Sequence, residues 1–138
     1  MRDNATLESI RRRRSTRSFT EEQLAEEELQ AVLEAGRCAP SARNQQKWNF
    51  TVVQSPEMLA ALNRDTKAAA QESEDPFVRQ RASAEDLNIF YGAPTVVIMS
   101  GDPQGNLIQL DCAAALGHKR GEAGPAPDRN PHVVNIIR

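Results

Sequence analysis

Aromatic residues are scarce in this chain, with one Trp, one Tyr and four Phe among 138 residues. Any core must therefore be built mostly from Leu, Ile, Val and Ala. Cysteine is rarer still. Cys38 and Cys112 stand far apart without Cys-x-x-Cys spacing, which excludes a disulfide framework or a cysteine metal site and leaves two reduced, small apolar side chains. His118 and His132 are isolated from any Ser/His/Asp set or metal spacing, so both read as surface residues. No long apolar run exists. The longest, APTVVIM at 93–99, is far too short to span a bilayer. The opening MRDNATLESI has charges and no apolar stretch, unlike a secretory signal. An excess of one charge sign is also missing: the net charge is −2, whereas a dedicated nucleic-acid-binding domain is usually strongly basic. These absences point to a single domain in a reducing cytoplasm, without membrane or nucleic-acid partners.

What is present alternates between helical and extended patterns. Ala5 to Arg14 reads as a helix, with Leu7 and Ile10 three apart. Thr20 followed by Gln23 has capping-box spacing, and Leu24, Leu29, Val32 and Leu33 predict a helix from Glu21 to about Ala35, closed by Gly36. Residues 38–47, CAPSARNQQK, form a loop or short helix. Trp48 to Gln54 is a strand, and Ser55-Pro56 is a cap and first-position proline for another helix. The polar stretch 63–83 lacks clear periodicity and reads as a surface excursion, partly helical or mobile. Thr95 to Ser100 is an apolar run suited to a strand buried on both faces. A helix starts at Leu107 and runs to about Leu116. The Gly/Pro-rich GHKRGEAGPAPDRNP is expected to be irregular, and HVVNIIR closes as a short strand. This alternation predicts an α/β or α+β fold.

Against the near-neutral background, RRRRSTRSF at 11–19 places five arginines in nine positions. Arginine offers a planar fork matched to phosphate oxygens. Arg13, Arg14, Ser15 and Arg17 lie at a helix end and in the turn before the next helix, where guanidinium and free N–H groups can converge on a phosphate. The alternatives are a solvated basic face or a patch for an acidic partner. A nucleic-acid reading is disfavoured because only Phe19 interleaves the cluster. Arg11 and Arg12 read as surface charge.

Three stretches, taken in order, resemble the flavin-dependent nitroreductase family: RRRSTRSF before a helix, APSARNQQKWNFTVV, and FYGAPTVVIMSGD. The resemblance covers residues 7 to about 115, and LGHKRGEAGPAPDRNPHVV resembles the end of such a chain. It implies an α+β fold, a mixed sheet flanked by helices in an intertwined homodimer. It also implies FMN at the dimer interface, NAD(P)H as co-substrate, and small-molecule acceptors such as nitro compounds or quinones. On that resemblance Arg13, Arg14, Ser15, Arg17 and Arg129 would hold the FMN phosphate. Ser41 and Asn44 would contact the flavin from the opposite subunit. Trp48 and the Gly92-Ala93-Pro94 turn read as structural, and Asp111 as a packing or capping residue. No catalytic acid or base is assigned. Flavin chemistry asks the protein to bind and orient.

Two departures stand out. Lys47 replaces the proline that commonly precedes the Trp in the family. More consequentially, DCAAA passes directly into LGHKRG near residues 115–117, without the family's intervening helix and strand, about two dozen residues by ordinary element lengths. A shortened enzyme, a remnant that has lost flavin, and a longer protein with a stretch missing from this sequence all fit this. A non-catalytic binder of flavin or another phosphate ligand on a degraded scaffold is therefore the alternative function.

Overall fold

The computed structural model describes residues 4–102, 104, 107–122 and 134–137. The elements follow in the order α1 (Ala5–Arg12), α2 (Glu26–Arg37), a short 3₁₀ turn (Ala42–Asn44), β1 (Trp48–Val53), α3 (Pro56–Gln71), α4 (Pro76–Ala82), β2 (Val96–Gly101), α5 (Ile108–Glu122) and β3 (Val134–Ile137). The sheet order is β1-β2-β3. β1 runs antiparallel to β2, pairing Trp48 with Gly101 and Val53 with Val96. β3 runs parallel to β2, pairing Val96 with Val134 and Met99 with Ile137. The sheet is mixed, as expected.

β2 is the central strand, and this explains its unbroken apolar run: Val96, Val97 and Met99 are fully buried. Side chains alternate along a strand, so Val97 and Met99 share a face with Phe50 and Val52, their cross-strand partners. That face carries the core. Val97 packs with Leu29 and Leu33 of α2. Met99 packs with Trp48, Ala39, Cys112 and Ala115, the last two from α5. Phe50 joins both groups, and its ring lies 6.5 Å from that of Trp48. Truncating a residue such as Met99 to Ala would cost about 2–5 kcal/mol in a site this closed.

Several boundaries differ from the expectation. α2 begins five residues late, at Glu26, and Glu28 Oε2 accepts from the Ala25 N–H at 3.0 Å. The Thr20–Gln23 box does not form because Gln23 has tertiary partners. Its Nε2 donates to Gln54 O (3.1 Å) and Pro94 O (2.9 Å), while its Oε1 accepts from the Thr95 hydroxyl at 2.8 Å. Gly36 lies buried within the last turn of α2 rather than beyond it. The 63–83 stretch, expected to be partly helical or mobile, is mostly helix broken at 72–75: α3 continues to Gln71, and α4 is capped by Asp75, whose carboxylate accepts from Phe77 N–H at 2.8 Å. Lys67 Nζ donates to Ala84 O and Glu85 O and ties the two together. Ala68, Ala69 and Ala70 supply the helix propensity that weak periodicity concealed. Finally, α5 continues past Leu116 through Gly117 to Glu122, where irregular chain was expected.

Candidate functional site

The arginine stretch leaves the C-terminus of α1. Arg13 closes the helix, its N–H donating to Ser9 O, and is extended at φ −54, ψ 130. Residues 13–25 then run without regular structure to α2. Arg12 is spent on Glu8, 2.6 Å away and four residues back, on an open surface. This supports its reading as surface charge. Arg14 Nη1 donates to Arg11 O (2.7 Å) and Arg13 O (2.9 Å) and so stiffens the turn. Arg13 and Arg17 are exposed, and their guanidinium groups have no hydrogen bond or ion pair among the described residues. Residues 9–20 contain no Asp or Glu. The next helix, α2, starts only at Glu26, and its first turn holds Glu26, Glu27 and Glu28. Three carboxylates there oppose an anion. The positive charge of this stretch therefore comes from its guanidinium groups, not from a helix dipole. Arg129 lies outside the described residues.

The loop between α2 and β1 carries Ser41 and Asn44. Its backbone is unusual: Arg43 (φ 55°), Asn44 (φ 53°) and Gln46 (φ 48°) are all left-handed. Asn tolerates that region, but Arg and Gln adopt it only when the surroundings impose it. Here the surroundings are visible. Ser41 Oγ accepts from Gln46 N–H at 3.0 Å, and Asn44 N–H donates to Ser41 O at 2.9 Å. Asp111 Oδ1 reaches from α5 to accept from Ala42 N–H at 3.0 Å. At the loop's exit Lys47 Nζ lies 3.0 Å from Asp102 Oδ2, and Asp102 N–H donates to Lys47 O. The Gln104 amide, then the Lys47 ammonium, hold the Asp102 carboxyl below the usual range. Lys47 thus supplies by an ion pair some of the restraint a proline would supply covalently. The Asn44 amide is exposed and has no partner among the described residues.

Within this one chain, no hydrogen bond or ion pair among the described residues joins Arg13, Arg14, Ser15 or Arg17 to Ser41 or Asn44. The Asp111 latch and the Lys47–Asp102 pair were not foreseen as site features. The only hint lay in their residue types, an Asp in a helix's first turn and an Asp after a strand. Thr20 Oγ1 is buried without a partner among the described residues. Cys112 is buried, and that burial, then Asp111, push its thiol up from the ordinary range. Cys38 is exposed. Elsewhere, Phe77, Val78, Leu87, Ile89 and Tyr91 line a recess of about 280 Å³, but none of the candidate residues borders it. Among the described residues no cluster suits a metal ion and no helix is long and apolar enough to cross a membrane.

With this geometry in place, the model of the nitroreductase family matches residues 10–125. The chain belongs to the nitroreductase family. A nitroreductase with bound FMN from Bacteroides fragilis superposes with a TM-score of 0.82 at 37% identity, covering 88% of this chain and 65% of that one. One from Desulfitobacterium hafniense, also with bound FMN, superposes at 0.78 and 32% identity, with coverage of 88% and 65%. A curated relative from Archaeoglobus fulgidus, carrying the provisional name NADH dehydrogenase/NAD(P)H nitroreductase, is 40% identical over 57 residues, 41% of this chain and 33% of its own. The match thus spans about a third of the length of that relative. As a nitroreductase-family member, the chain places the motifs that carried the resemblance on an irregular arginine turn, a strained loop and a central strand.

Proposed function

We propose that this protein is a flavin oxidoreductase. It would hold FMN at a homodimer interface, accept hydride equivalents from NAD(P)H and deliver them to an electron-poor small molecule such as a nitro compound or quinone. The observation that carries this reading is the family match from residue 10 to 125, which takes in both the arginine turn and the Ser41–Asn44 loop.

The residues fit the group. Arg13 and Arg17 are exposed, unpaired among the described residues and free of nearby acidic sequence neighbours. Arg14 retains guanidinium N–H groups beyond those holding the turn, and Ser15 adds a hydroxyl, so this side suits a dianionic phosphate. Ser41 keeps its own hydroxyl proton to donate while accepting from Gln46. Asn44 offers both halves of an amide to a ring edge. Arg129 completes the phosphate set in this reading. Bound FMN would supply the hydride chemistry. The chain's own residues bind and orient it, and the cations favour the anionic reduced ring. We assign no acid or base.

The dimer is supported by α1, which buries none of its residues and leaves Ile10 66% exposed, a helix in want of a second surface. Ser41 and Asn44 would then come from the opposite subunit, which accounts for their lack of contact with the arginines in one chain. A reducing cytoplasm suits two free cysteines.

A second reading, a non-catalytic flavin or phosphate-ligand binder, is favoured by length, since the chain spans only 65% of the Bacteroides fragilis structure. A shortened connection after Ala115 would account for this. Absorbance with added FMN, followed by NAD(P)H oxidation with a quinone, separates the two. Uptake with turnover supports the enzyme, uptake without turnover the binder, and no uptake overturns both flavin readings.

A further inference from the structure

We infer that Asp111 is a positioning residue: its carboxylate latches the 41–47 loop in the strained shape that presents Ser41 and Asn44 to a ligand. This rests on the proposed flavin reading for what the loop contacts, but the latch itself rests on geometry alone. Three of four consecutive positions from Arg43 to Gln46 are left-handed. Such backbone persists only where neighbouring structure over-determines it. The restraints within the loop, Asn44 N–H to Ser41 O and Gln46 N–H to Ser41 Oγ, are short-range and move with it. Asp111 is different in kind. It sits in the first turn of α5, between Cys112, which packs into the core against Trp48 and Met99, and Leu110. Its Oδ1 spends itself on Ala42 N–H, 69 residues away, in a half-buried setting. There water competes weakly and a charge-assisted bond holds better than a neutral one. The core therefore dictates the loop's entry through one side chain. The Lys47–Asp102 pair, also bridging loop and β2, restrains the exit. A capping role for Asp111 does not explain the bond, because its acceptor faces another element.

The test compares Asp111→Ala, which removes the acceptor, with Asp111→Asn, which keeps an acceptor oxygen and loses the charge. Val32→Ala, in the buried face of α2, reports simple destabilisation. Amide hydrogen exchange is followed by NMR in the flavin-free protein, and FMN affinity by quenching of flavin fluorescence. Asp111→Ala is expected to speed exchange at Ala42 and Asn44 by about tenfold or more, selectively over core strand amides, and to weaken FMN binding by a similar factor. Asp111→Asn should recover most of both, and Val32→Ala should leave the loop's relative protection unchanged. Unchanged Ala42 exchange in Asp111→Ala would overturn the latch. Faster exchange with unaltered FMN affinity would overturn its positioning role. If the unaltered protein binds no FMN, the flavin reading fails, while the exchange data still decide the latch.

Discussion

Gly101 is where β2, the Lys47–Asp102 pair and α5 meet, so a single methyl group there tests the packing that supports the candidate site. A Cβ at this position would overlap Ile108 Cγ1, come within 2.6 Å of Ile108 Cδ1 and sit 3.3 Å from Cys112 Sγ. Ile108 is β-branched and opens α5, so its χ1 has one strongly preferred rotamer and Cγ1 cannot swing aside cheaply. Relief must come from moving the start of α5, which carries Asp111. Overpacking of this kind costs about 1–3 kcal/mol. We therefore expect Gly101→Ala to lower stability by about 2 kcal/mol, or the melting temperature by about 4–10 °C for a chain of this size. Ile108→Ala removes the opposing atoms, and because Ile108 is only half-buried its own cost falls near the low end of about 2 kcal/mol. The double variant should then be more stable than the sum of the singles, by an interaction energy of about 1 kcal/mol or more. Urea denaturation of the four proteins supplies the cycle. Gly101→Ala as stable as the unaltered chain, or a strictly additive double variant, would refute the close packing of α5 on β2. It would also remove the physical basis for treating α5 as the support of the loop.

Arg13→Ala and Arg17→Ala should each weaken FMN uptake about tenfold, the loss of one charge-assisted bond, with melting temperature unchanged because both side chains are exposed; Arg12→Ala should leave uptake alone, and fluorescence titration reads all three. Gln23→Ala should destabilise by about 1–3 kcal/mol, because it strips the buried Thr95 hydroxyl of its acceptor and leaves Pro94 O and Gln54 O without this donor; a loss below a few tenths in urea melts would show that water replaces the amide. Cys38 should alkylate rapidly in the folded protein and Cys112 only on unfolding, as read by intact mass. Because the folded Cys112 thiol is raised from 9.0, the stability it contributes is fully present below that pH. It declines as pH rises toward the folded value, a decline that Cys112→Ser should abolish.

Much of the fold was legible where local rules were unopposed. Ser55-Pro56 announced α3 because cap and first-position proline act on the nearest backbone groups alone. The apolar run at 96–99 announced a central strand because burial on both faces leaves no polar position within it. The Thr20–Gln23 pattern misled for the opposite reason: the same glutamine side chain had three tertiary partners across 31 to 72 residues, and these outweighed one local cap. The helix through residues 68–71 was hidden by a face that packs lightly and so needs little periodicity.

At the candidate site, residue type and spacing made Arg13, Arg14, Ser15 and Arg17 suitable for a phosphate but equally for a solvated basic face, and the resemblance to the family favoured the first, since arginine's charge and planar fork belong to the side chain wherever it is placed. Which of their side chains are free among the described residues was a tertiary matter: Arg14 is drawn onto its own backbone and Arg12 onto Glu8, while the guanidinium groups of Arg13 and Arg17 have no partner there. The left-handed loop, the Asp111 latch and the Lys47–Asp102 pair depended wholly on the three-dimensional structure. Each joins groups about 55 to 69 positions apart, or stores strain that distant packing sustains. Local chemistry is written in the order of residues. The partner that uses it is decided by which surfaces the hydrophobic core brings together.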